Sequence, residues 1–253
     1  MLKQSKRLLL SAALGSVLVA GCSGMSSEGL IESGMLGVKA LTFSDAEARE
    51  LANAACAEMD AQAKLAPSNS AYTQRLAKIS QRLGQEAGGV ALNYKVYQNP
   101  EPNAWAMANG CIRVYSGLMD LMTDNEIEGV LGHEIGHVVL GHTKKHMQVA
   151  YATAAARTAA ASAGNATVAQ LSRSQLGDIG HKLIDAQFSQ AQETAADNYS
   201  FELLTQRNID RRGLVSAFEK LAELGGGQSS LFSSHPGASA RAAAMQQRID
   251  QQK

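Results

Sequence analysis

The sequence predicts an α+β fold that is predominantly helical and carries one small β-sheet. Aromatic residues account for only 5% of the 253 residues, although hydrophobic residues account for 45%. This alanine-rich composition favours closely packed helices over a β-sandwich. Segments with helical signals also outnumber the short segments that alternate between polar and apolar residues. The length suits one globular domain, which we place at residues 41–253.

Serine or threonine followed three residues later by glutamate marks two helix starts. The pattern SDAE at Ser44–Glu47 predicts the first helix, and TDNE at Thr123–Glu126 predicts a helix that carries several histidines. The alanine-rich stretch at 150–170 contains Arg157 and Asn165 and is too polar for a membrane span, so we interpret it as a helix followed by a connector. Further helices are predicted at about 71–83, 178–188, 190–207, 212–224 and 238–251.

Two segments predict strands. In VALNYKVYQ, apolar residues recur at every second position from Val90 to Val96. In AWAMANGCIRVYSG, two short strand pieces flank Asn109-Gly110, a strong hairpin signal. Together these pieces are enough for one small sheet.

The first residues have the features of a secretory signal peptide. MLKQSKR is basic, an apolar run follows, and small residues precede Cys22 in VAGC. This order predicts a lipoprotein signal peptide at 1–21, lipidation of Cys22 and a Gly/Ser-rich tether at 22–40. A plain signal peptide with an incidental cysteine is the alternative. Because Ser23 rather than an aspartate follows the cysteine, the expected location is the outer membrane, facing the periplasm.

Lipidation of Cys22 would leave two cysteines, Cys56 and Cys111. A pair of cysteines in an exported chain predicts a disulfide, and two separate buried thiols are the alternative. Basic and acidic residues number 23 each, so no nucleic-acid partner is expected.

Three of the six histidines lie in HEIGHVVLGH, residues 133–142. His133 and His137 are four residues apart, so both imidazoles project from one face of the predicted helix, as two ligands of one zinc ion require. Glu134 beside them can act as general base on a water that zinc activates. The sequence therefore predicts a zinc site, and a chance HExxH is the alternative.

A catalytic zinc ion needs a third protein ligand. Leu140 and Thr143 stand where metzincins have glycine and histidine, which excludes that class. His142 is expected to point away from the metal, at the surface or behind the ligands. The pattern ETAAD instead offers Glu193 as a ligand and Asp197 as an acceptor for the Nδ1–H of a zinc-binding histidine. A solvated acidic face is the alternative for this pair.

The strings HEIGH, ETAAD and SHPGASAR, in this order, resemble the zinc metallopeptidases that include HtpX and the CAAX prenyl endopeptidase. NAWAMANGCIRVYSGLMD and DNEIEGVLGHEIGH resemble their outer-membrane lipoprotein branch, and the resemblance covers about residues 40–245. It implies a gluzincin-type metallopeptidase domain in which the HExxH helix packs a small β-sheet. It also implies one Zn²⁺ bound by His133, His137 and Glu193, with Glu134 as base.

The resemblance further implies that the strand around Asn103–Ala108 is the edge with which a substrate peptide pairs. The residues expected to line this edge are Asn103, Ala104, Trp105 and Ala106. Gln190 stands where relatives usually have arginine, so one local salt bridge of the relatives is not expected here. The membrane-spanning helices of the relatives are absent from the sequence, and the lipid at Cys22 is expected to replace them.

His235 lies in SSHPG, which we interpret as a loop. Peptide hydrolysis builds negative charge on the carbonyl oxygen, which a nearby donor stabilises, and the resemblance places this segment near the active site. We therefore expect His235 to donate to that oxygen or, when neutral, to occupy the open zinc position as a latch. Arg241 is expected to hold this loop in place or to add positive electrostatic potential at the active site. An exposed loop histidine is the alternative.

Together these features predict a zinc-dependent endopeptidase that hydrolyses unfolded or misassembled envelope proteins. It is expected to be lipid-anchored and to associate with other envelope quality-control proteins. The alternative is a non-catalytic, chaperone-like or assembly lipoprotein with a structural zinc. Structural zinc sites close all four positions with protein ligands, and the sequence offers three evident ones, so we favour the peptidase.

Overall fold

The computed structural model describes residues 43–162, 171–224 and 230–252. The predicted signal peptide, Cys22 and the whole tether therefore lie outside the described residues. In chain order the elements are α1 (Asp45–Gln62), α2 (Ala71–Leu83), β1 (Glu86–Ala87), β2 (Val90–Ala91), β3 (Asn93–Tyr97), β4 (Ala104–Ala106), β5 (Cys111–Tyr115), α3 (Ser116–Leu121), α4 (Asp124–Val139), α5 (His142–Ser162), α6 (Arg173–Ile184), α7 (Gln190–Gln206), α8 (Arg212–Leu224), α9 (Ser230–Ser234) and α10 (Ala238–Asp250).

The central sheet has three strands in the order β3-β5-β4. β3 runs parallel to β5, and β4 runs antiparallel to β5 with Ala104 opposite Val114. The predicted hairpin at Asn109-Gly110 is confirmed: Gly110 has a φ of 80°, and its amide donates to the Met107 carbonyl at 2.9 Å. β4 is consequently an edge strand of this sheet.

The predicted strand at 90–98 is interrupted in the structure. Val90–Ala91 pairs with Glu86–Ala87 in a separate two-stranded hairpin, and only Asn93–Tyr97 enters the central sheet. The Leu92 amide, between the two pieces, donates to the Gln85 carbonyl at 2.9 Å. The alternation of apolar residues therefore correctly predicted extended chain. It did not reveal that the first two residues pair with β1 whereas the later ones pair with β5.

Both predicted capping boxes, at Ser44 and Thr123, are present. One predicted helix had wrong bounds: the helix expected at about 178–188 spans Arg173–Ile184. Ser172 and Gln175 form a further capping box, which fixes the earlier start. Among the described residues, no helix has both the length and the apolar character that crossing a membrane requires.

Helix α4, which carries HEIGH, lies in the centre of the molecule and is buried from Glu126 to Val138. It packs against α7, α8 and the edge strand β4, which agrees with the predicted α+β class and with a small sheet packed by the HExxH helix. A Cβ atom at Gly132 would lie 2.5 Å from Ser200 Oγ. Glycine at this position thus allows α4 and α7 to approach closely, and this approach brings the ETAAD segment to the histidines.

The sheet separates two hydrophobic clusters. Ala104 belongs to the cluster that includes α2, α4, α7, α8 and α10, whereas Trp105 belongs to the cluster that includes α1, α5 and α6. Adjacent residues of a strand point to opposite faces, so β4 contacts both halves of the core and is held firmly beside α4.

Candidate metal centre

Four buried side chains converge at the centre of the molecule. His133 and His137 lie one turn apart on α4, Glu193 lies in the first turn of α7, and His235 follows α9. One ligand atom from each of the four lies within 4.8 Å of all the others. The structure thus brings together the three expected ligands and adds His235 as a fourth donor.

The spacing of these donor atoms fits one bound metal ion. His133 Nε2 lies 3.0 Å from His137 Nε2 and 3.1 Å from His235 Nδ1. Glu193 Oε1 lies 3.0 Å from His235 Nδ1 and 3.3 Å from His137 Nε2. Ligand atoms placed tetrahedrally around zinc are about 3.3 Å apart. Three imidazoles and one carboxylate at these separations are a donor set that suits zinc.

The protonation states of His133, His137 and Glu193 also suit a metal site. Burial lowers the pKa of His133 and lowers that of His137 to about 4, so both rings are neutral and can offer a lone pair. Burial raises the pKa of Glu193, but hydrogen bonds with His137 and His235 lower it more strongly, and the carboxylate is ionised. Neutral imidazoles and an ionised carboxylate are the forms that bind metals.

A second layer of contacts orients the ligands. Asp197 Oδ1 lies 2.8 Å from His133 Nδ1, the ring nitrogen turned away from the donor set. Arg241 donates two hydrogen bonds to the Asp197 carboxylate, from Nε at 2.8 Å and from Nη2 at 2.6 Å. It also forms an ion pair with Glu193. The Arg241 guanidinium lies over the ring of Phe218 at 4.1 Å. Arg241 therefore ties α10 to α7 rather than acting only on the segment of His235.

His142 lies behind a candidate ligand, one of the two places expected for it, although it does not belong to the helix of HEIGH. The helix of HEIGH ends at Val139 and His142 begins the next helix, so extrapolating along one helix was wrong. Its Nδ1 lies 3.0 Å from Nδ1 of His137. His142 thus sits behind a ligand, where it can orient the His137 ring.

Glu134 lies between the two helical histidines in sequence and is buried beside them. Its Oε1 has no hydrogen-bond partner among the described residues, and the nearest ring nitrogen, His235 Nε2, is 3.5 Å away. Burial raises the pKa of Glu134 to about 7. A carboxylate with this pKa and a free oxygen can accept and release a proton near neutral pH.

The segment SSHPG is the predicted loop only from His235 to Gly237. Ser233 and Ser234 complete the short helix α9, and the His235 amide donates to the Leu231 carbonyl at 3.0 Å. His235 is only 6% exposed, which rules out an exposed loop histidine. The turn closed by this backbone bond points the His235 imidazole toward the other metal donors.

The expected substrate strand lies along one wall of the same site. Asn103, Ala104 and Trp105 are buried and Ala106 is half-buried. β4 pairs with β5 along one side, and no strand among the described residues pairs with its other side. Ala104–Ala106 line a cavity together with Glu134 and His235, so an edge strand does border the candidate catalytic groups.

Three residues at this site were not found from the sequence. Phe188, between α6 and α7, has its ring centroid 3.8 Å from that of His137 and 4.5 Å from that of His146. Thr143 and His146 line the cavity beside Glu134. The four-residue spacing of His142 and His146 was a usable signal for His146, whereas nothing near Phe188 in the sequence marks it.

The predicted disulfide between Cys56 and Cys111 is present, with a Cα–Cα distance of 6.6 Å. It joins α1 to the first residue of β5, the strand that carries β4. The alternative of two separate thiols is therefore wrong.

Comparison with known proteins agrees with this geometry. Residues 69–249 match the family described as Peptidase family M48. The chain is 53% identical to Metalloprotease LoiP of Escherichia coli (strain K12) over 244 residues, which cover 96% of each chain. It is 50% identical to Metalloprotease YcaL of the same organism, over 97% of this chain and 98% of that protein. Protease HtpX of Thioalkalivibrio sulfidiphilus is 39% identical over 79 residues, 30% of this chain and 26% of that protein. The chain belongs to peptidase family M48 and is a metalloprotease that acts on polypeptides.

Proposed function

We propose that this metalloprotease is a zinc-dependent endopeptidase of the bacterial envelope. It is anchored by lipid at Cys22 to the outer membrane, faces the periplasm and hydrolyses unfolded or misassembled envelope proteins. The observation that carries the catalytic part is one buried constellation: four metal-donor side chains beside Glu134, whose Oε1 has no partner among the described residues.

The donor chemistry favours zinc over other common cations. Calcium and magnesium prefer oxygen ligands, whereas three imidazole nitrogens and one carboxylate oxygen converge here. His133, His137 and Glu193 would hold the ion. When bound, zinc polarises a peptide carbonyl and lowers the pKa of water so that hydrolysis proceeds at neutral pH.

The chain's own residues account for the remaining steps. Glu134 accepts a proton from the attacking water and passes it to the leaving amine, which its pKa of about 7 suits. The free side of β4 offers backbone groups to an extended peptide, which would add as a further strand. Asp197 holds the His133 ring in place through the contact at Nδ1.

The cellular location rests on the sequence. A basic start, an apolar run and VAGC support export and lipidation of Cys22, and two acyl chains anchor a protein more stably than one. The Cys56–Cys111 disulfide supports an oxidising compartment such as the periplasm. Association with other envelope quality-control proteins follows from this location and is part of the proposal.

One observation favours the alternative, a non-catalytic chaperone-like or assembly lipoprotein. His235 supplies a fourth donor, and structural zinc sites are closed by four protein ligands. A structural site, however, gives no role to a buried glutamate with a raised pKa beside the ligands. Family membership and the place of Glu134 favour the peptidase.

The decisive experiment is Glu134→Gln. The variant should retain zinc but cleave casein at least about 100-fold more slowly, because glutamine cannot accept the proton. Glu202→Gln, an exposed change on α7, is the matched control. A chelator should abolish cleavage by the wild type, and added zinc should restore it. If Glu134→Gln binds zinc and cleaves casein at the wild-type rate, the mechanism is wrong.

The anchor has its own test. Wild type should float with outer membranes in a density gradient, whereas Cys22→Ala should be released or remain an uncleaved precursor. Recovery of the wild type in the soluble periplasmic fraction would exclude the lipid anchor without affecting the catalytic proposal.

A further inference from the structure

We infer that Thr143 binds the substrate, and that the cavity it lines beside Glu134 receives a small side chain next to the scissile bond. The inference rests on the proposed peptidase function and extends it to the choice of substrate. It starts from a buried hydroxyl group for which the metal site gives no role.

A left-handed turn places Thr143 at the site. Helix α4 ends at Val139, Gly141 has a φ of 72°, and α5 begins at His142. A residue with a side chain is strained at this φ, so Gly141 supports the reversal of the chain between the two helices. Thr143 then returns to the wall of the site and is only 6% exposed.

The Thr143 hydroxyl has no hydrogen-bond partner among the described residues. Threonine in a helix commonly bonds a backbone carbonyl one turn earlier, and Thr143 makes no such bond. Leaving a buried polar group unpaired lowers stability, so such a group calls for an explanation. Glu134, whose Oε1 is equally without a partner, lines the same cavity. A substrate that enters this cavity can form a hydrogen bond with the Thr143 hydroxyl while Glu134 acts as the base in hydrolysis of the scissile bond.

The cavity determines which side chains fit. Its volume is about 20 Å³, which is room for about one methyl or hydroxyl group. Apart from Thr143 and the catalytic groups, its walls are largely apolar and include Met107, Met147, Leu183 and Ile184. An alanine or serine side chain fits such a space. The Thr143 hydroxyl would bond a main-chain group of the substrate or the serine hydroxyl.

Leu183 limits the size of the side chain. It lines this cavity and also a second one of about 320 Å³, further from Glu134, which Val149 and Ala150 border. Because Leu183 and His146 are common to both cavities, shortening Leu183 would join them. The enlarged space would accept a leucine or phenylalanine side chain.

The first test compares Thr143→Val with Thr143→Ser in the full-length chain. Cleavage sites in casein are mapped by mass spectrometry, and peptides are made with alanine or serine beside the scissile bond. Thr143→Val keeps the shape and removes the hydroxyl, so kcat/KM should fall about tenfold or more, mainly through KM. Thr143→Ser keeps the hydroxyl and should stay close to wild type.

A thermal melt separates substrate binding from a structural role. Because the hydroxyl has no partner to lose, Thr143→Val should melt at or above the wild-type temperature and keep its zinc. A fall in melting temperature that accompanies the loss of activity would show a structural bond and overturn the inference. An unchanged kcat/KM on both peptides would overturn it equally.

The two peptides identify the group that Thr143 binds. An equal loss on the alanine and serine peptides places the bond on the substrate main chain, and a loss confined to the serine peptide places it on the side chain. Leu183→Ala should raise kcat/KM for peptides with leucine at this position relative to alanine. An unchanged preference in Leu183→Ala would remove the cavity from substrate selection.

Failure of this inference is distinct from failure of the peptidase mechanism. If Glu134→Gln remains active, the mechanism fails whatever Thr143 does. If Glu134→Gln is inactive while Thr143→Val behaves as wild type, the mechanism stands and the role of Thr143 is wrong.

Discussion

Asp197 Oδ1 lies 2.8 Å from His133 Nδ1, and Arg241 holds the same carboxylate with two hydrogen bonds. The three residues come from α7, α4 and α10, so the contact fixes the orientation of His133, a candidate metal ligand, across three helices. A carboxylate in this position sets the tautomer of the ring and makes the imidazole a stronger donor.

Asp197→Asn should therefore weaken zinc binding by about 10-fold to 100-fold. The measurement is competition with a chromophoric chelator on the purified chain. Glu193→Ala, which removes a donor atom itself, should weaken binding at least as much, and the exposed change Asp210→Asn should have no effect. Zinc affinity of Asp197→Asn equal to that of the wild type would show that the contact does not tune the metal. Full zinc occupancy in Glu193→Ala would show that the third ligand is misassigned.

The helix of HEIGH could be predicted because the signals for it lie within one short stretch of sequence. His133, Glu134 and His137 share one helix, and helical spacing alone puts the two imidazoles on one face. Glu193 and Asp197 were found the same way, since they too are one turn apart. The family resemblance of HEIGH, ETAAD and SHPGASAR then implied that the two helices share one metal site.

The rest of the site depends on how separate segments pack, and the spacing of residues along the sequence does not predict that packing. His142 does not continue the helix of HEIGH, because Gly141 reverses the chain between α4 and α5. Phe188 reaches His137 from the link between α6 and α7, and no local pattern marks that approach. The one-turn helix α9 was hidden because its serines favour a loop by composition. It is nevertheless held by the His235–Leu231 backbone bond.

The Cys56–Cys111 disulfide should contribute about 4 kcal/mol to stability, because it closes a loop of 55 residues in the unfolded chain. Reduction, or the double change to serine, should lower the melting temperature. Activity should fall as well, since the bond holds β5 and β5 holds β4, the proposed substrate edge. Calorimetry and casein cleavage with and without dithiothreitol measure both effects. Two titratable thiols in the oxidised mature protein would refute the bond.

Asp60 should make stability depend on pH in the acid range. Burial raises the pKa of Asp60, but hydrogen bonds from Arg113, Lys95 and Tyr97 outweigh it and lower the pKa to about 2. Arg113 alone donates at 2.7 Å from Nε and 2.9 Å from Nη2. A carboxylate with a lowered pKa stabilises the fold above its unfolded pKa, and this contribution is lost as pH falls through about 2.

The Asp60 charge should contribute about 1 to 2 kcal/mol at neutral pH, because the carboxylate is only partly buried and solvent screens its contacts. Asp60→Asn should lower the free energy of unfolding by at least that amount, because it also leaves buried Arg113 without its ionic partner. The difference from wild type should shrink as pH falls from about 4 to about 2. Urea denaturation across this range measures it, with exposed Asp178→Asn as control. A difference that stays constant with pH would show that Asp60 is not ionised by these contacts.

His235 lies where it could close the candidate metal site. Its Nδ1 lies 3.1 Å from His133 Nε2 and 3.0 Å from Glu193 Oε1, among the other metal donors. Its Nε2 lies 3.5 Å from Glu134. A catalytic zinc site keeps one position open, and His235 stands where it can fill that position. A ring in that position would act as a latch that substrate would have to displace before its carbonyl could bind.

His235→Ala should raise basal cleavage of casein or self-cleavage, while His133, His137 and Glu193 keep the zinc in place. The measurements are initial rates, mass spectrometry of the purified chain and zinc content, with exposed His181→Ala on α6 as the matched control. If kcat instead falls by about 100-fold with zinc retained, His235 acts as an oxyanion donor and the latch is wrong. If neither kcat/KM nor self-cleavage changes, His235 has neither role, although it lies within reach of the donor set.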